Sequence, residues 1–505
     1  MNFHKTFPAG ARVLSLAAAL ALAACATQDD VQPVQRRLDA GKLGLDEPAA
    51  PTAQALTVLP AWWRELGDAQ LDALVDRALQ DNPNLQVAAS RLRRAMAGQT
   101  YAGAQNTPVV QTTGEVDRQH FTNHGLYPYP IAGSTLTSGT LQLEGQWELD
   151  LFGKHRAQLD AAVGQAQASQ ADLQAARWLL SAQIVRSHVQ LGRLQAQREV
   201  AQRTLDQREE TVQLVRQRVQ RGIDTRVELK QSEGNPPEAR NQIAQLDEQI
   251  TLARHALAVL TGQSPTALDG LNVKLDALHL PDVPAQLPVD LLARRPDVTA
   301  ALWRAQAATA DTKATRVALF YPNIDLRVYG GYNAIGLSNV MQASSLQWGL
   351  MPAVHLPLFD GDRRRASMQD KAAEEDLAIA GYNQVVLQAA QEAADQFSSV
   401  QSVATQQATQ REAQASAEAA YSLARSRYQA GLGNYLTVLS AETAVLAQRR
   451  LAVDLQGRAL DARIGLIRAI AGTVPVASAV APGTTPFVAV STAAAAAPAS
   501  PKAQP

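Results

Sequence analysis

The chain repeats itself at long range, and this repeat limits its possible folds more than any other feature. Asn82-Pro83-Asn84-Leu85 is echoed by Arg295-Pro296-Asp297-Val298, and Leu149-Asp150-Leu151-Phe152-Gly153 by Leu356-Pro357-Leu358-Phe359-Asp360-Gly361. Arg218-Val219-Gln220-Arg221-Gly222 returns as Arg427-Tyr428-Gln429-Ala430-Gly431, and Thr261-Gly262 as Ala471-Gly472. The offset stays near about 210 residues, far longer than a solenoid period. Two copies of one large unit are therefore expected, at 61–262 and 296–472, joined by a connector at 263–295.

Each copy reads as a helix, two strands, a very long helix, a tight turn and a return helix. The first helices run from Pro83 to about Ala104 and from Pro296 to about Phe320. The long helices, Lys154–Arg221 and Asp362–Ala430, contain no proline and only Gly164, Gly192 and Gly381. At 1.5 Å per residue each extends on the order of 100 Å. In the first, Ile184, Leu191, Leu205, Val212 and Val219 fall on a spacing of seven, beside a row of Leu180, Leu194, Ala201 and Val215. That is a coiled-coil seam, interrupted by Arg198 and Arg208. Glycine permits the left-handed cap at the turns Gly222-Ile223-Asp224 and Gly431-Leu432-Gly433-Asn434. The return helices cover half of each long helix, and the short first helix covers the rest. Pro236-Pro237 lies inside the first return helix and predicts a kink or break there, at about 3 kcal/mol or more.

The strands alternate. From Leu141 to Leu151, odd positions (Leu141, Leu143, Trp147, Leu149) are apolar or Gly, and even positions (Gln142, Glu144, Glu148, Asp150) are polar. In the second copy Leu346, Trp348, Leu350 and Val354 share one face. Alternating runs of about ten residues match the wall of a membrane barrel, apolar toward lipid and polar toward a wet lumen. The competing reading is an amphipathic sheet packed on a soluble core. Gln119–Thr137 and Ala334–Ser344 read as outward hairpin loops, and Trp147, Trp348, Phe152 and Phe359 as interfacial aromatics.

Lys plus Arg number 46 and Asp plus Glu 47, a formal net charge of -1, so no electrostatic case for nucleic-acid binding arises. Hydrophobic residues make up 46% but aromatics only 5%, which favours Ala-rich helices over a bulky core. The eight His are scattered, and no nucleophile, phosphate loop or metal cluster stands out. An enzyme, a cofactor and a metal are not expected. Arg363-Arg364-Arg365 and Lys154-His155-Arg156 occupy matching places at strand ends, suited to anionic lipid headgroups or to a solvated helix start.

The single cysteine, Cys25, follows Lys5, Arg12 and the apolar run Val13–Ala24. Leu22-Ala23-Ala24-Cys25 resembles a bacterial lipobox, implying a signal peptide at 1–24, lipid (palmitate) on the sulfur and new amino group of Cys25, and a lipid-anchored linker at 25–60. An ordinary signal with a chance Cys is the alternative. Ala26, not Asp, follows. The tail at 473–505 is Ala/Pro-rich and expected to be disordered.

Together these landmarks resemble the TolC-like outer-membrane efflux proteins, in particular their NodT-type lipoprotein branch. The resemblance runs from Trp62 to Gly472, through Trp62-Trp63-Arg64-Glu65-Leu66-Gly67-Asp68, Trp147-Glu148-Leu149-Asp150-Leu151-Phe152-Gly153, Phe320-Tyr321-Pro322 and Gly431-Leu432-Gly433-Asn434-Tyr435-Leu436-Thr437-Val438-Leu439. It implies a homotrimer of mixed α and β structure. A long α-helical barrel is continuous with a 12-stranded outer-membrane β-barrel, four strands coming from each chain. The resemblance places a periplasmic adaptor at the helical tips and an inner-membrane transporter beyond it. It makes Gly222, Asp224, Arg427, Tyr428, Gly431, Asn434, Tyr435 and Glu442 candidate tip or gate residues. Ser440 stands where some relatives carry Asp, so a carboxylate ring there is not implied. The expected function is passive export of small molecules. A duct for type I protein secretion and a lipid-anchored periplasmic coiled-coil scaffold are the alternatives.

Overall fold

The computed structural model describes residues 31–38, 56–58, 61–279, 294–357, 359–470 and 473–475. The first copy holds α1 (Ala69–Asp81), α2 (Pro83–Ala104), β2 (Val109–His120), β3 (Thr135–Glu148), α3 (Lys154–Gln220) and α4 (Arg226–Leu260). The second holds α5 (Pro296–Phe320), β4 (Asn323–Ile335), β5 (Leu346–His355), α6 (Arg363–Gln429) and α7 (Tyr435–Ala469). The two long helices are both 67 residues and the two return helices both 35. Each long helix thus spans about 100 Å and each return helix about half of that.

Local chemistry sets the boundaries. Pro83 and Pro296 occupy first-turn positions, where no backbone donor is lost. Both long helices end in the same cap. Gly222 and Gly431 adopt φ of 75° and 77°. Ile223 N–H donates to the Arg218 carbonyl and Leu432 N–H to that of Arg427, each at 2.9 Å. These six-to-one bonds define the Schellman motif, which glycine makes inexpensive. Thr225 and Glu228 then form a capping box that starts α4, and the Asn434 side chain accepts from Thr437 N–H to start α7.

The expected seam is buried. Ile184 and Leu191 are fully enclosed, as are Leu194, Ala201 and Val215 of the companion row. The main core sits at mid-height of α3, where Trp62, Trp63, Leu66 and α1 pack with α4 and the end of α7. His188, wholly buried on α3, contacts the Asp68 carboxylate at 2.8 Å, and Asp68 in turn caps α1. Burial lowers the His188 pKa in spite of that carboxylate. The arginines that interrupt the seam pair across helices, Arg198 with Asp247 and Arg208 with Glu442 and Glu238.

Three expectations need correction. Of the kink or break expected at Pro236 and Pro237, the break does not occur, since α4 runs on through both as helix. Pro236 is buried there, and Arg208 Nη1 donates to the Asn235 carbonyl at 2.9 Å, so tertiary contacts override the local cost. The tail is not wholly without structure, because β6 (Thr473–Pro475) pairs antiparallel with β1 (Leu56–Val58) inside the linker. The strand β3 ends at Glu148, so Asp150 lies beyond it; Asp150 accepts from Arg156 N–H at 2.9 Å and helps start α3. Leu149 keeps one ladder bond, to the Ile324 carbonyl at 2.8 Å, and is half-buried. Cys25, the signal region and most of the tail lie outside the described residues.

Candidate functional site

The strands form one antiparallel sheet in the order β2-β3-β4-β5. Its register brings residues from both copies onto common faces. Thr112, Leu143, Gly330 and Trp348 align across the sheet, as do Val110, Gly145, Val328 and Leu350. Leu141 shares this face and pairs with Tyr332. Exposure on this face is high, 57% at Leu143, 76% at Trp348 and 60% at Leu350. Trp147 is exposed at the lower end. Gln142, Glu144 and Glu148 occupy the opposite face and are half-buried. This polarity is inverted relative to a sheet on a soluble core, whose apolar side would be covered. An apolar surface of this extent needs an apolar environment.

The polar face is cross-linked. Gln347 Nε2 donates to Gln142 Oε1 at 3.3 Å, Gln142 donates to Glu144, and Gln111 Nε2 donates to Glu144 Oε2 at 3.3 Å. Glu148 stands opposite Asp325 in the register, an unfavourable like-charge pair. Lys154 pairs with Glu148, and His355 Nδ1 lies 3.5 Å from Asp325. The outer edges of β2 and β5 have no partner strand among the described residues. Four strands cannot close on themselves, and an open edge in hydrocarbon leaves each backbone group unsatisfied at several kcal/mol.

At the far end of the long helices the two turns interlock. Arg218 is buried; its Nε and Nη2 donate to Asp224 at 2.8 and 3.2 Å, and its Nη1 donates to the Tyr428 carbonyl at 2.7 Å. The guanidinium lies 4.4 Å over the Tyr428 ring, and Tyr428 Oη donates to Asp224 at 2.5 Å. Burial opposes the Asp224 carboxylate, but hydrogen bonds from Arg218 and Tyr428 outweigh it and hold its pKa below the ordinary value. Burial and the Asp224 contact raise the Tyr428 pKa. One layer up, Tyr435 Oη accepts from Asn235 at 2.8 Å, and Arg208 Nε donates to the buried Glu442 at 2.8 Å. Burial and the Glu442 charge push the Tyr435 pKa up to about 12. Val215, Tyr421, Val438 and Val445 complete this cluster.

The tip candidates therefore divide. Asp224, Tyr428, Tyr435 and Glu442 belong to a closed network within the chain, Asn434 is a helix cap, and Arg427 is exposed. The hub, Arg218, was not singled out from the sequence. Its signal is a polar row on a spacing of seven, Thr204, Thr211 and Arg218, all buried.

Among the described residues no helix is long and apolar enough to cross a membrane, which says nothing of a β-barrel. The profile of the outer membrane efflux protein family matches residues 74–263 and 287–472, one match per copy. The multidrug resistance outer membrane protein MdtQ of Escherichia coli K12, described as putative, is 32% identical over 444 residues, 84% of this chain and 92% of its own. The fusaric acid resistance protein FusA of Burkholderia cepacia is 33% identical, covering 70% of this chain and 67% of its own. Among solved structures, the outer membrane protein VceC of Vibrio cholerae superposes with a TM-score of 0.78 at 31% identity, over 83% of this chain and all of that one. The outer-membrane channel OprN gives 0.79 at 27% identity, over 88% and 97%.

The chain belongs to the outer membrane efflux protein family. It is an outer-membrane export channel and not an enzyme. Its fold is that of the trimeric channels, in which three such sheets close a 12-stranded barrel above a long helical one.

Proposed function

We propose that the channel is the passive outer duct of a drug-type export pump, carrying small molecules handed over by a periplasmic adaptor and its inner-membrane transporter. The observation that carries this reading is the inverted sheet, with Leu141, Leu143, Trp147, Leu149, Trp348 and Leu350 as its lipid side and Gln142, Glu144 and Glu148 lining the lumen. The resistance functions in the names of MdtQ and FusA support a small organic cargo. In this reading the turns at Gly222 and Gly431 are the adaptor's docking surface, and the network above them is the closed end. Cys25 carries the lipid that anchors the linker in the outer membrane. Purified trimer in planar bilayers should give discrete channel currents. A strain lacking its outer duct should regain resistance only when this chain is expressed with its cognate pump. A chain that inserts no pore and restores nothing would leave the periplasmic scaffold as the better account.

A further inference from the structure

Residues 31–38 lie against α5 and α6 with no regular secondary structure. The hydrogen bonds that hold them are made to the backbone. Arg316 Nη2 donates to the Val31 carbonyl at 2.8 Å. The Asp376 carboxylate accepts from two successive N–H groups, Val34 at 3.2 Å and Gln35 at 2.7 Å. Asn383 accepts from Leu38 N–H at 2.7 Å and donates to the Arg36 carbonyl at 2.8 Å. Apolar burial contributes little, because Val34 is 81% exposed and only Val31 and Pro33 are half-buried. Asp376 and Asn383 are seven residues apart on α6, which is about 10.5 Å along one helix face. Gln35 to Leu38, three extended residues, covers about the same distance. Two residues of low helix propensity thus stand at the spacing an extended chain requires.

Helix pairing fixes where the segment sits. Thr309 bonds Glu375, and Thr312 bonds the Lys371 carbonyl, so Arg316 is level with the first turns of α6, close under the sheet. The segment then runs away from the sheet, past Asp376 to Asn383. We propose that residues 31–38 are a docked strap, captured by Arg316, Asp376 and Asn383, and that docking confines the lipid-bearing Cys25 to the foot of its own barrel wall. This rests on the reading of Cys25 as lipidated. From Cys25 to Leu56, the first residue of β1, is 31 residues, a free reach on the order of 100 Å, as long as the helical barrel itself. From Cys25 to a docked Val31 is six residues, a reach of about 20 Å. Docking thus converts a leash able to lie anywhere along the helices into a short spacer that sets the depth of the channel in the membrane.

Arg36 and Arg37 place trypsin sites inside the strap, and a protease must take over the same backbone groups that Asp376 and Asn383 hold. Purified full-length trimer should lose its N-terminal piece at these sites slowly, read by intact mass. The double variant Asp376→Ala, Asn383→Ala should lose it at least tenfold faster. Gln35→Pro removes a captured N–H group without touching α6 or either trypsin site and should move the rate toward that of the double variant, which separates undocking from damage to the helix. Equal cleavage rates in all three proteins would overturn the strap. Cys25→Ser should keep wild-type protection. The mass of the released piece reports separately whether Cys25 carries acyl chains, so failure of the lipid reading and failure of the strap give different results.

Discussion

Arg218 donates from Nη1 to the main-chain oxygen of Tyr428 at 2.7 Å, across 210 residues of sequence. The two copies are not equivalent at this point. Arg427 occupies the place in the second landmark that Arg218 holds in the first, yet Arg427 is exposed and Arg218 is buried between Asp224 and the Tyr428 ring. The duplicated turns are thus joined unequally, Arg218 of the first copy reaching into the second and Tyr428 of the second donating back to Asp224.

Arg218→Met should loosen this end without dismantling the trimer. Removing Arg218 leaves the half-buried Asp224 carboxylate uncompensated, at a cost below the about 3–5 kcal/mol of a fully buried pair. The effect should be local, because the main core lies far up α3. Hydrogen exchange at residues 219–224 and 428–434 should rise while the trimer band on gels is unchanged. Single-channel current should increase if this end is the closed one. With Asp224→Asn added, the defect should shrink, since the orphaned carboxylate is gone.

Acid should act on the same contact. The folded Asp224 pKa is depressed below its ordinary value. Its contribution is therefore complete above the unfolded Asp pKa, about 3.9, and is lost as pH falls through the lower folded value. Protection factors at the tip, with the intrinsic slowing of amide exchange in acid divided out, should fall as pH drops below about 4 in the wild type. Asp224→Asn should show low protection factors already at neutral pH and little further change. A wild-type tip indifferent to acid would mean that the Arg218–Asp224 pair contributes no net stability.

Much of this architecture was legible in advance because its signals are local. Pro83, Pro296, Gly222 and Gly431 mark helix ends by backbone geometry, and the alternation from Leu141 to Trp147 marks the two faces of a strand. The rest depends on contacts between distant segments. Arg218 in its row looks like any polar interruption until Asp224 and Tyr428 are seen around it. Pairing of Leu56–Val58 with Thr473–Pro475, and capture of residues 31–38, are made through the backbone, which no side-chain pattern encodes. Pro236-Pro237 misled for a related reason: propensity is a weak prior where Arg208 and a packed neighbour hold the helix.

Gly431→Val tests the turn as a docking surface. Gly431 has a φ of 77°. A residue with a β-carbon in that region costs about 1–2 kcal/mol, and a β-branched one is a genuine outlier. The strands lie at the opposite end of α6, so trimer yield should stay normal. Drug efflux should fall because the adaptor loses its surface. A trimeric variant that still pumps fully would place the partner elsewhere along the helices.

Cys25→Ser should block incorporation of labelled palmitate and lower efflux. Palmitate entering the serine variant would rule out the lipobox reading.

The sheet faces allow the sharpest contrast, because adjacent residues of β3 are expected to behave oppositely. Leu143 is 57% exposed and aligns with Thr112, Gly330 and, one strand on, Trp348. If that face meets lipid, Leu143→Arg places a charge in hydrocarbon at a cost of about 2–4 kcal/mol near the midplane, and Trp348→Arg does the same from the second copy. Both should reduce the yield of assembled trimer in the outer membrane. Glu144, the next residue, sits on the other face and accepts from Gln111 and Gln142. Glu144→Gln keeps its shape and loses only the charge, so assembly should be normal while the reversal potential in a salt gradient shifts toward anions. Heat-modifiable trimer on gels and bilayer recordings check both halves. Equal assembly defects from Leu143→Arg and Glu144→Gln would mean that the two faces do not divide lipid from lumen, and that the sheet packs against something other than membrane.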